Sequence, residues 1–304
     1  MNIPVAFIVY KRPETTRRVF EAIRESRPRK IYLIADGPKT PNLASACTKV
    51  RQIVEDNIDW SCDLSPIYSE TNLGLARRVQ TGLDEVFAQE EAAIILEDDT
   101  LPHASFFRYC QELLERYTAD ERIAHVSGCN PHSEAYSERS SYCFSSIFNV
   151  WGWATWRRAW KCFDLQMKSW ADAPQDEILR KWCHDKRERK GTRSMFDLHC
   201  RNDDPWAWSY QWKYACWAHD SLSAMPSRNL VSNLGIGPGA SNTTSAIPVP
   251  LFPKKLESMT FPMKHPSVKR DTAFERNYHH CETLPFARRL KNRLKSLLTI
   301  VLRS

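Results

Sequence analysis

From Ile3 to Val126, apolar runs alternate with amphipathic stretches. Ile3 to Tyr10 is an almost continuous apolar run, the pattern of a strand buried on both faces. Thr15 to Arg24 follows, with Val19, Phe20 and Ile23 at helical spacing. A second run, Ile31 to Ala35, ends in Asp36-Gly37-Pro38. Val50, Ile53 and Val54 mark another helix, and Leu64 to Tyr68 a third short strand. Leu75 to Phe87 predicts a helix with Val79, Leu83, Val86 and Phe87 on one face. A fourth strand, Ala92 to Leu96, precedes a helix over Ser105 to Tyr117 and a fifth strand around Ile123 to Val126. Alternation of this kind predicts an α/β fold, a mainly parallel central sheet covered by helices on both faces.

Ligands of such sheets bind outside the carboxyl ends of the strands. Four polar loops are predicted to meet there: Lys11-Arg12, Asp36-Gly37, Asn72-Leu73-Gly74 and Glu97-Asp98-Asp99. The acid triplet is the most informative. Three adjacent carboxylates at the end of a buried strand repel one another and are costly without a compensating cation. A hard divalent metal, Mn2+ or Mg2+, relieves that repulsion and usually shares its shell with phosphate oxygens. Leu101-Pro102 stops the strand, so the acids sit at a strand-to-loop exit where ligands can reach them; the bland alternative is a solvated acidic turn. Arg12 and the pair Arg77-Arg78 are either solvated helix-end charges or, beside a metal, partners for a diphosphate. Asp36 is either a turn residue before Gly37-Pro38 or an acceptor for a nucleobase edge or a ribose. No G-x-G-x-x-G follows the first strand, which tells against a dinucleotide cofactor.

The 304 residues suit one large domain or two small ones, and 42% hydrophobic content with 11 Trp supplies ample core. The Cys residues form no C-x-x-C pair and read as reduced, buried thiols of a cytoplasmic protein. The N-terminal apolar run is too short for a signal peptide, and no stretch of ~20 apolar residues predicts a membrane-spanning helix. The net charge is +7, but Arg288, Arg289, Lys291, Arg293, Lys295 and Arg303 carry most of it. The remaining body is nearly neutral, which argues against a nucleic-acid surface. Phe286, Leu290, Leu294, Leu297, Leu298 and Val301 recur at helical spacing among these basic residues. Residues 285–304 therefore read as a basic amphipathic helix, either at an anionic membrane surface or docked on a protein. The expected division is a domain over 1–245, a proline-rich strap over 246–284 leading away from it, and this C-terminal helix. The location expected is the cytoplasm, with peripheral attachment to the inner face of the plasma membrane.

Pro4-Val5-Ala6-Phe7-Ile8-Val9-Tyr10-Lys11-Arg12-Pro13, Ala35-Asp36-Gly37, Asn72-Leu73-Gly74 and Ile95-Leu96-Glu97-Asp98-Asp99 together resemble glycosyltransferases of the GT-A (Rossmann-like) fold. With Trp151-Gly152-Trp153-Ala154-Thr155-Trp156 and Asn229-Leu230-Val231-Ser232-Asn233-Leu234-Gly235, the chain resembles the bacterial hemolytic-protein-like (HlpA-like) glycosyltransferases, over residues 3–245. The triplet followed by Phe106-Phe107 is also similar to the N-acetylglucosaminyltransferase that initiates complex N-glycans. That resemblance implies that Asp99 binds the metal, while Glu97 and Asp98 reach the ribose or metal-bound waters. It also implies that Arg12, Asp36 and Arg78 line the nucleotide pocket, Arg78 standing where that enzyme has a histidine.

Two positions depart from the pattern. Related sequences often carry an acid, placed as catalytic base, inside a W-x-Y-x-W segment; here it reads Trp208-Ser209-Tyr210-Gln211-Trp212, and the hydroxyl of Ser209 is too weakly basic for that work. Asp203 and Asp204, just upstream, are the candidates. Where relatives tend to have A-T-H-T-T, this chain has Ala240-Ser241-Asn242-Thr243-Thr244, so Asn242 offers the metal an amide oxygen in place of an imidazole. Most tryptophans between 151 and 217 are expected in the core, with Trp151 and Trp153 as candidates for an acceptor-sugar platform.

The expected function is metal-dependent transfer of a sugar from a nucleotide diphosphate donor, UDP-sugar foremost, to the hydroxyl of a glycan or lipid-linked acceptor in bacterial surface glycan assembly; inversion at the anomeric carbon is what the resemblance implies. The rival readings are a sugar nucleotidyltransferase and a membrane-associated binding or lytic protein with a degenerate transferase fold.

Overall fold

A computed structural model describes residues 1–133, 136, 140–200, 202–235 and 255–281. Asn242 and the basic segment 285–304 lie outside the described residues. Strands β1 (Val5–Val9), β2 (Lys30–Ala35), β3 (Asp63–Tyr68) and β4 (Ala92–Glu97) alternate with helices α1 (Pro13–Ser26), α2 (Ala44–Glu55) and α3 (Leu75–Gln89). After the acid triplet come β5 (Thr100–Pro102), α4 (Ala104–Arg116), β6 (Ile123–Ser127), β7 (Tyr142–Ser145), β8 (Trp153–Trp156) and α5 (Arg157–Trp160). Helices α6 (Gln175–Trp182), α7 (Lys186–Cys200) and α8 (Ser209–Ala218) precede β9 (Leu222–Pro226) and β10 (Val231–Asn233).

Eight strands form one sheet in the order β3-β2-β1-β4-β8-β6-β9-β7. The pairs β3–β2, β2–β1, β1–β4 and β6–β9 are parallel, whereas β8 is antiparallel to both β4 and β6, and β7 to β9. The expected class, a mainly parallel sheet between helices, is the observed one. Every residue of β1 is buried, which explains its unbroken apolar run. Edge strand β3 is half-exposed along most of its length. Helix α1 packs with α2 and α4, and α3 with α5, covering the sheet. The chain order reverses beside β1, with β2 on one side and β4 on the other, and this reversal opens the crevice of doubly wound sheets.

Tryptophans fill the second half of the core. Trp153 is fully buried, stacked on His125 at 5.0 Å and on Trp208 at 5.5 Å. Burial pushes His125 down to about 3, so its ring is neutral. The Trp212 indole N–H donates to its Nδ1 at 3.2 Å, and its Nε2 faces the carbonyl of Asn149 at 3.0 Å. A residue this enclosed offers no face to a sugar, so Trp153 is not an acceptor platform; Trp151 is half-buried.

Residues 255–266 run along the domain and not away from it. Met259 and Met263 are buried in the core, the Met259 amide donates to Ser105 Oγ at 2.9 Å, and Ser141 and Lys264 exchange hydrogen bonds. Residues 272–281 then form a helix with Phe274 and Tyr278 buried. Its Glu275 is fully buried, accepting from Arg270 Nε at 2.9 Å, paired with His184 Nε2 at 2.9 Å and bonded to the Ser146 amide. Arg270 also donates to the carbonyl of Trp182 at 2.7 Å. This clamp binds the strap to α6 and β7. All ten cysteines are free, and no helix among the described residues is long and apolar enough to cross a membrane.

Removing one partner of a buried ion pair leaves the other charge uncompensated. Glu275→Ala should therefore lower the unfolding free energy by roughly 3–5 kcal/mol, read as a shifted midpoint in urea denaturation. A change within experimental error would show that the clamp contributes nothing.

Candidate functional site

The acids at the end of β4 sit in a hydrogen-bonded corner. The Glu97 amide donates to Thr100 Oγ1 at 2.8 Å, and the same hydroxyl donates back to the Glu97 carbonyl at 3.0 Å. Strand β4 ends at Glu97, as the sequence suggests, and Leu101 and Pro102 belong to β5, which lies in a separate two-stranded sheet and pairs antiparallel with β10 in the register Val231–Pro102, Ser232–Leu101 and Asn233–Thr100. The Leu234 amide donates to the Asp99 carbonyl at 2.7 Å. The segment Asn229 to Gly235 thereby becomes the far wall of the acid corner. Gly235 closes it: a Cβ built there would lie 2.0 Å from Asp99 Oδ2.

Arg12, between β1 and α1, supplies the compensating cation. Its Nη1 is ion-paired with Asp99 Oδ2 and lies 3.4 Å from Asp98 Oδ1. The other oxygen of Asp98 accepts from the Tyr10 amide at 3.1 Å, which ties β1 to β4 across the reversal point. Burial and the neighbouring acids push Glu97 and Asp98 well above the usual carboxylate range, and Arg12 pulls against that shift. Burial disfavours the Arg12 charge, but Asp98 and Asp99 more than offset it and the guanidinium pKa is raised.

Asp36 organises the opposite wall. Its Oδ1 accepts from the amides of Gly37 (3.0 Å) and Leu73 (2.9 Å), its Oδ2 from the amide of Gly74 (3.0 Å) and the side-chain amide of Asn72 (2.9 Å). A carboxylate offers about four lone-pair sites, and all are filled from its own loops. Burial raises its pKa and these amide donors oppose the rise. Asp36 is thus the bolt between the loops after β2 and β3, with no acceptor capacity left for a base or ribose. Asn72, which also donates to the Gly37 carbonyl at 2.8 Å, is committed to the same lock.

That lock sets the start of α3, where Gly74 caps the helix with φ of +78°, a conformation glycine adopts without strain. Arg77 and Arg78 follow in the first turn and face different surroundings. Arg78 is 4% exposed, and its Nε and Nη2 have no hydrogen-bond partner. Burial lowers its pKa while Glu85 and Asp36 act in the other direction. Gly82 makes room for it, since a Cβ there would meet Ile34 Cγ2 at 2.5 Å and Arg78 Nη2 at 3.2 Å. A buried guanidinium with two unsatisfied nitrogens, carrying three N–H bonds between them, is a strong anion-seeking feature. Arg77 is exposed and reaches the loop before α8: its Nη2 donates to the Asp203 carbonyl at 3.1 Å, and its Nε lies 3.7 Å from Asp204 Oδ1. The side chain of Asp204 is 93% exposed. In the same loop Trp206 is 53% exposed, lying 5.2 Å from the ring of His199.

The four loops expected at one crevice do share one edge of the sheet, with Arg12, Asp98 and Asp99 in direct contact and Asp36, Asn72, Arg77 and Arg78 linked through the α3 start. Among the described residues no group of three or more His, Cys, Asp or Glu side chains gathers as a metal cage. Thr100 and Gly82 did not stand out in the sequence, and Tyr10 and Gly235 did so only as members of longer motifs with no role of their own. The two glycines carried a signal in being glycines inside a helix and beside a strand, sites where close approach is the usual reason.

No family model and no curated protein matches the chain. Among solved structures it is similar to a mannosyltransferase from Pyrobaculum calidifontis in complex with GDP-Man and Mn2+, with 16% identity over 71% of this chain and 70% of that one and a TM-score of 0.41. It is also similar to HddC from Yersinia pseudotuberculosis (10% identity, 52% and 78% covered, TM-score 0.34). An inositol-1-phosphate CTP transferase from T. maritima shows 12% identity over 53% and 74% of the two chains, with a TM-score of 0.33.

The close approach of Gly235 to Asp99 predicts an asymmetry between two glycines. Gly235→Ala overpacks the corner and should cost about 1–3 kcal/mol of stability. Gly191→Ala, inside α7 with nothing near its Cβ position, should instead gain about 0.5–1 kcal/mol. Urea unfolding of both variants checks this, and equal shifts of the same sign would contradict the placement of Gly235.

Proposed function

We propose that this chain is a metal-dependent glycosyltransferase of the GT-A type, transferring a sugar from a nucleotide diphosphate donor to an acceptor hydroxyl with inversion. The observation that carries the reading is the carboxylate corner at the reversal point of a doubly wound sheet, with a cationic side chain already lodged in it. Its donors are hard oxygens only, the set that suits Mn2+ or Mg2+. These ions keep several waters and take one or two carboxylates plus substrate phosphates, so a full protein cage is not required. Asp99, partly exposed at 14%, is the direct ligand, with Asn242 as a second oxygen donor. Asp98 is held by Tyr10 and Arg12, and it orients the corner along with Glu97. When bound, the metal stabilises the charge developing on the departing diphosphate.

The chain's own groups do the rest. Arg78, buried with its Nε and Nη2 lacking hydrogen-bond partners, and Arg12, at the corner, supply guanidinium N–H donors to the diphosphate. Asp36 and Asn72 act one step removed, fixing the loop from which α3 presents both arginines. Arg77 pins the 202–208 loop at the rim, where Asp204, with Asp203 beside it, takes the proton of the acceptor hydroxyl as general base. The exposed indole of Trp206 in that loop is the surface on which the apolar face of an acceptor sugar stacks. The nucleotidyltransferase alternative needs a glycine-rich loop after the first strand to hold a triphosphate. Here only Tyr10, Lys11 and Arg12 separate β1 from α1.

Asp99→Ala should abolish Mn2+-dependent binding of UDP in titration calorimetry while leaving the unfolding midpoint close to wild type. Equal UDP affinity in the two proteins would remove Asp99 from the metal site.

On the acceptor side, Asp204→Asn should lower kcat by at least ~10²-fold with donor affinity unchanged. Trp206→Ala should raise the acceptor KM and spare kcat. Near-normal turnover in Asp204→Asn would pass the base role to Asp203 or to another acid.

A further inference from the structure

The Arg12 guanidinium stands where a divalent cation would have to enter. One nitrogen, Nη1, is ion-paired with Asp99 and lies 3.4 Å from Asp98 Oδ1, so it fills the notch between the two carboxylates. Gly235 also packs close to Asp99, since a Cβ built on the glycine would lie 2.0 Å from Asp99 Oδ2. Asp98 cannot turn away freely, because its other oxygen is bonded to the Tyr10 amide. The three side chains are 23%, 9% and 14% exposed for Arg12, Asp98 and Asp99, so water screens their charges only in part. A guanidinium and a metal ion cannot share the notch, since two cations that close repel strongly in partly buried surroundings.

From this geometry we infer that Arg12 is a resident counter-ion that keeps the metal site blocked until a nucleotide diphosphate arrives. The inference rests on the reading above and adds to it a rule for the order of binding. A diphosphate offers Arg12 a new planar, bidentate partner and at the same time offers the metal its missing oxygen ligands. Arg12 then leaves the carboxylates to the metal. Metal and nucleotide thus bind as a coupled pair, and each raises the affinity of the other by the same factor. Without a diphosphate the metal takes the place of Arg12 at the carboxylates and brings no new anion for the guanidinium in exchange, and its affinity is low.

The side chain can be changed without disturbing the helix it precedes. The start of α1 is held by the Arg12 carbonyl, which accepts from the Thr16 amide at 3.0 Å and from its hydroxyl at 2.7 Å. Free Mn2+, followed by electron paramagnetic resonance in titrations with and without UDP, gives the test for wild type, Arg12→Met and Arg12→Lys. Arg12→Met should bind Mn2+ alone about tenfold tighter than wild type, and UDP should improve its Mn2+ affinity about tenfold less. Arg12→Lys, which keeps a cation without the planar fork, should fall between them. If Arg12→Met binds Mn2+ alone no tighter than wild type, the counter-ion role is wrong, although the proposed function stands so long as wild type binds Mn2+ with UDP. If wild type binds no Mn2+ even with UDP, the function itself fails. Should Arg12→Met lose its thermal transition, Arg12→Lys decides by the same two titrations: Mn2+ affinity alone equal to or weaker than wild type, with UDP coupling undiminished, overturns the role.

Discussion

Like-charge repulsion among Glu97, Asp98 and Asp99 is the constraint around which the crevice is built. Three carboxylates in sequence at the end of a buried strand demand donors and a counter-charge. The structure provides both from distant parts of the chain. Tyr10 donates from β1, Arg12 pairs from the start of α1, and Thr100 folds the corner back on itself. The Asn229 to Gly235 segment arrives from the far end of the fold to pair with β5 and lie against Asp99.

A second carboxylate governs the opposite wall by a different logic. Asp36 is isolated from other acids and surrounded by donors, so its charge is spent on rigidity. By fixing Asn72, Leu73 and Gly74 it determines where α3 begins, and therefore which arginine is buried and which one reaches across the crevice. Two acidic sites on one sheet edge thus differ: Asp36 holds backbone amides, and in the triplet Asp98 and Asp99 are paired with the Arg12 side chain.

The sheet was legible because its central strands are buried on both faces, so β1, β2 and β4 appear as unbroken apolar runs within a residue or two of their observed limits. Short elements were not. Strands β5 and β10 are each too brief to show a period, and what defines them is a partner more than a hundred positions away. The helix over 272–281 escaped notice because its burial depends on Arg270 meeting Glu275 inside the domain, which composition does not display. The site was legible as a set of loops and not as a set of contacts. Asp36 and Arg12 were correctly placed at the edge, yet the groups they satisfy are set by three-dimensional proximity. Trp153 shows the same limit: a tryptophan beside a glycine reads equally as a platform or as core, and only its stack on His125 decides.

Pro13 directly follows Arg12 and opens α1, which has a bearing on speed. A residue before proline is kept out of the helical region, and Arg12, with φ of −116° and ψ of 77°, lies outside it. The backbone from which the guanidinium swings is therefore stiff, and a change of partner involves only rotation about side-chain bonds. Rotamer changes of accessible side chains take picoseconds to nanoseconds, whereas loop and domain closures take microseconds or longer. In the exchange proposed above, one arginine before a proline would act as a fast valve and add no slow step to the binding of metal and nucleotide.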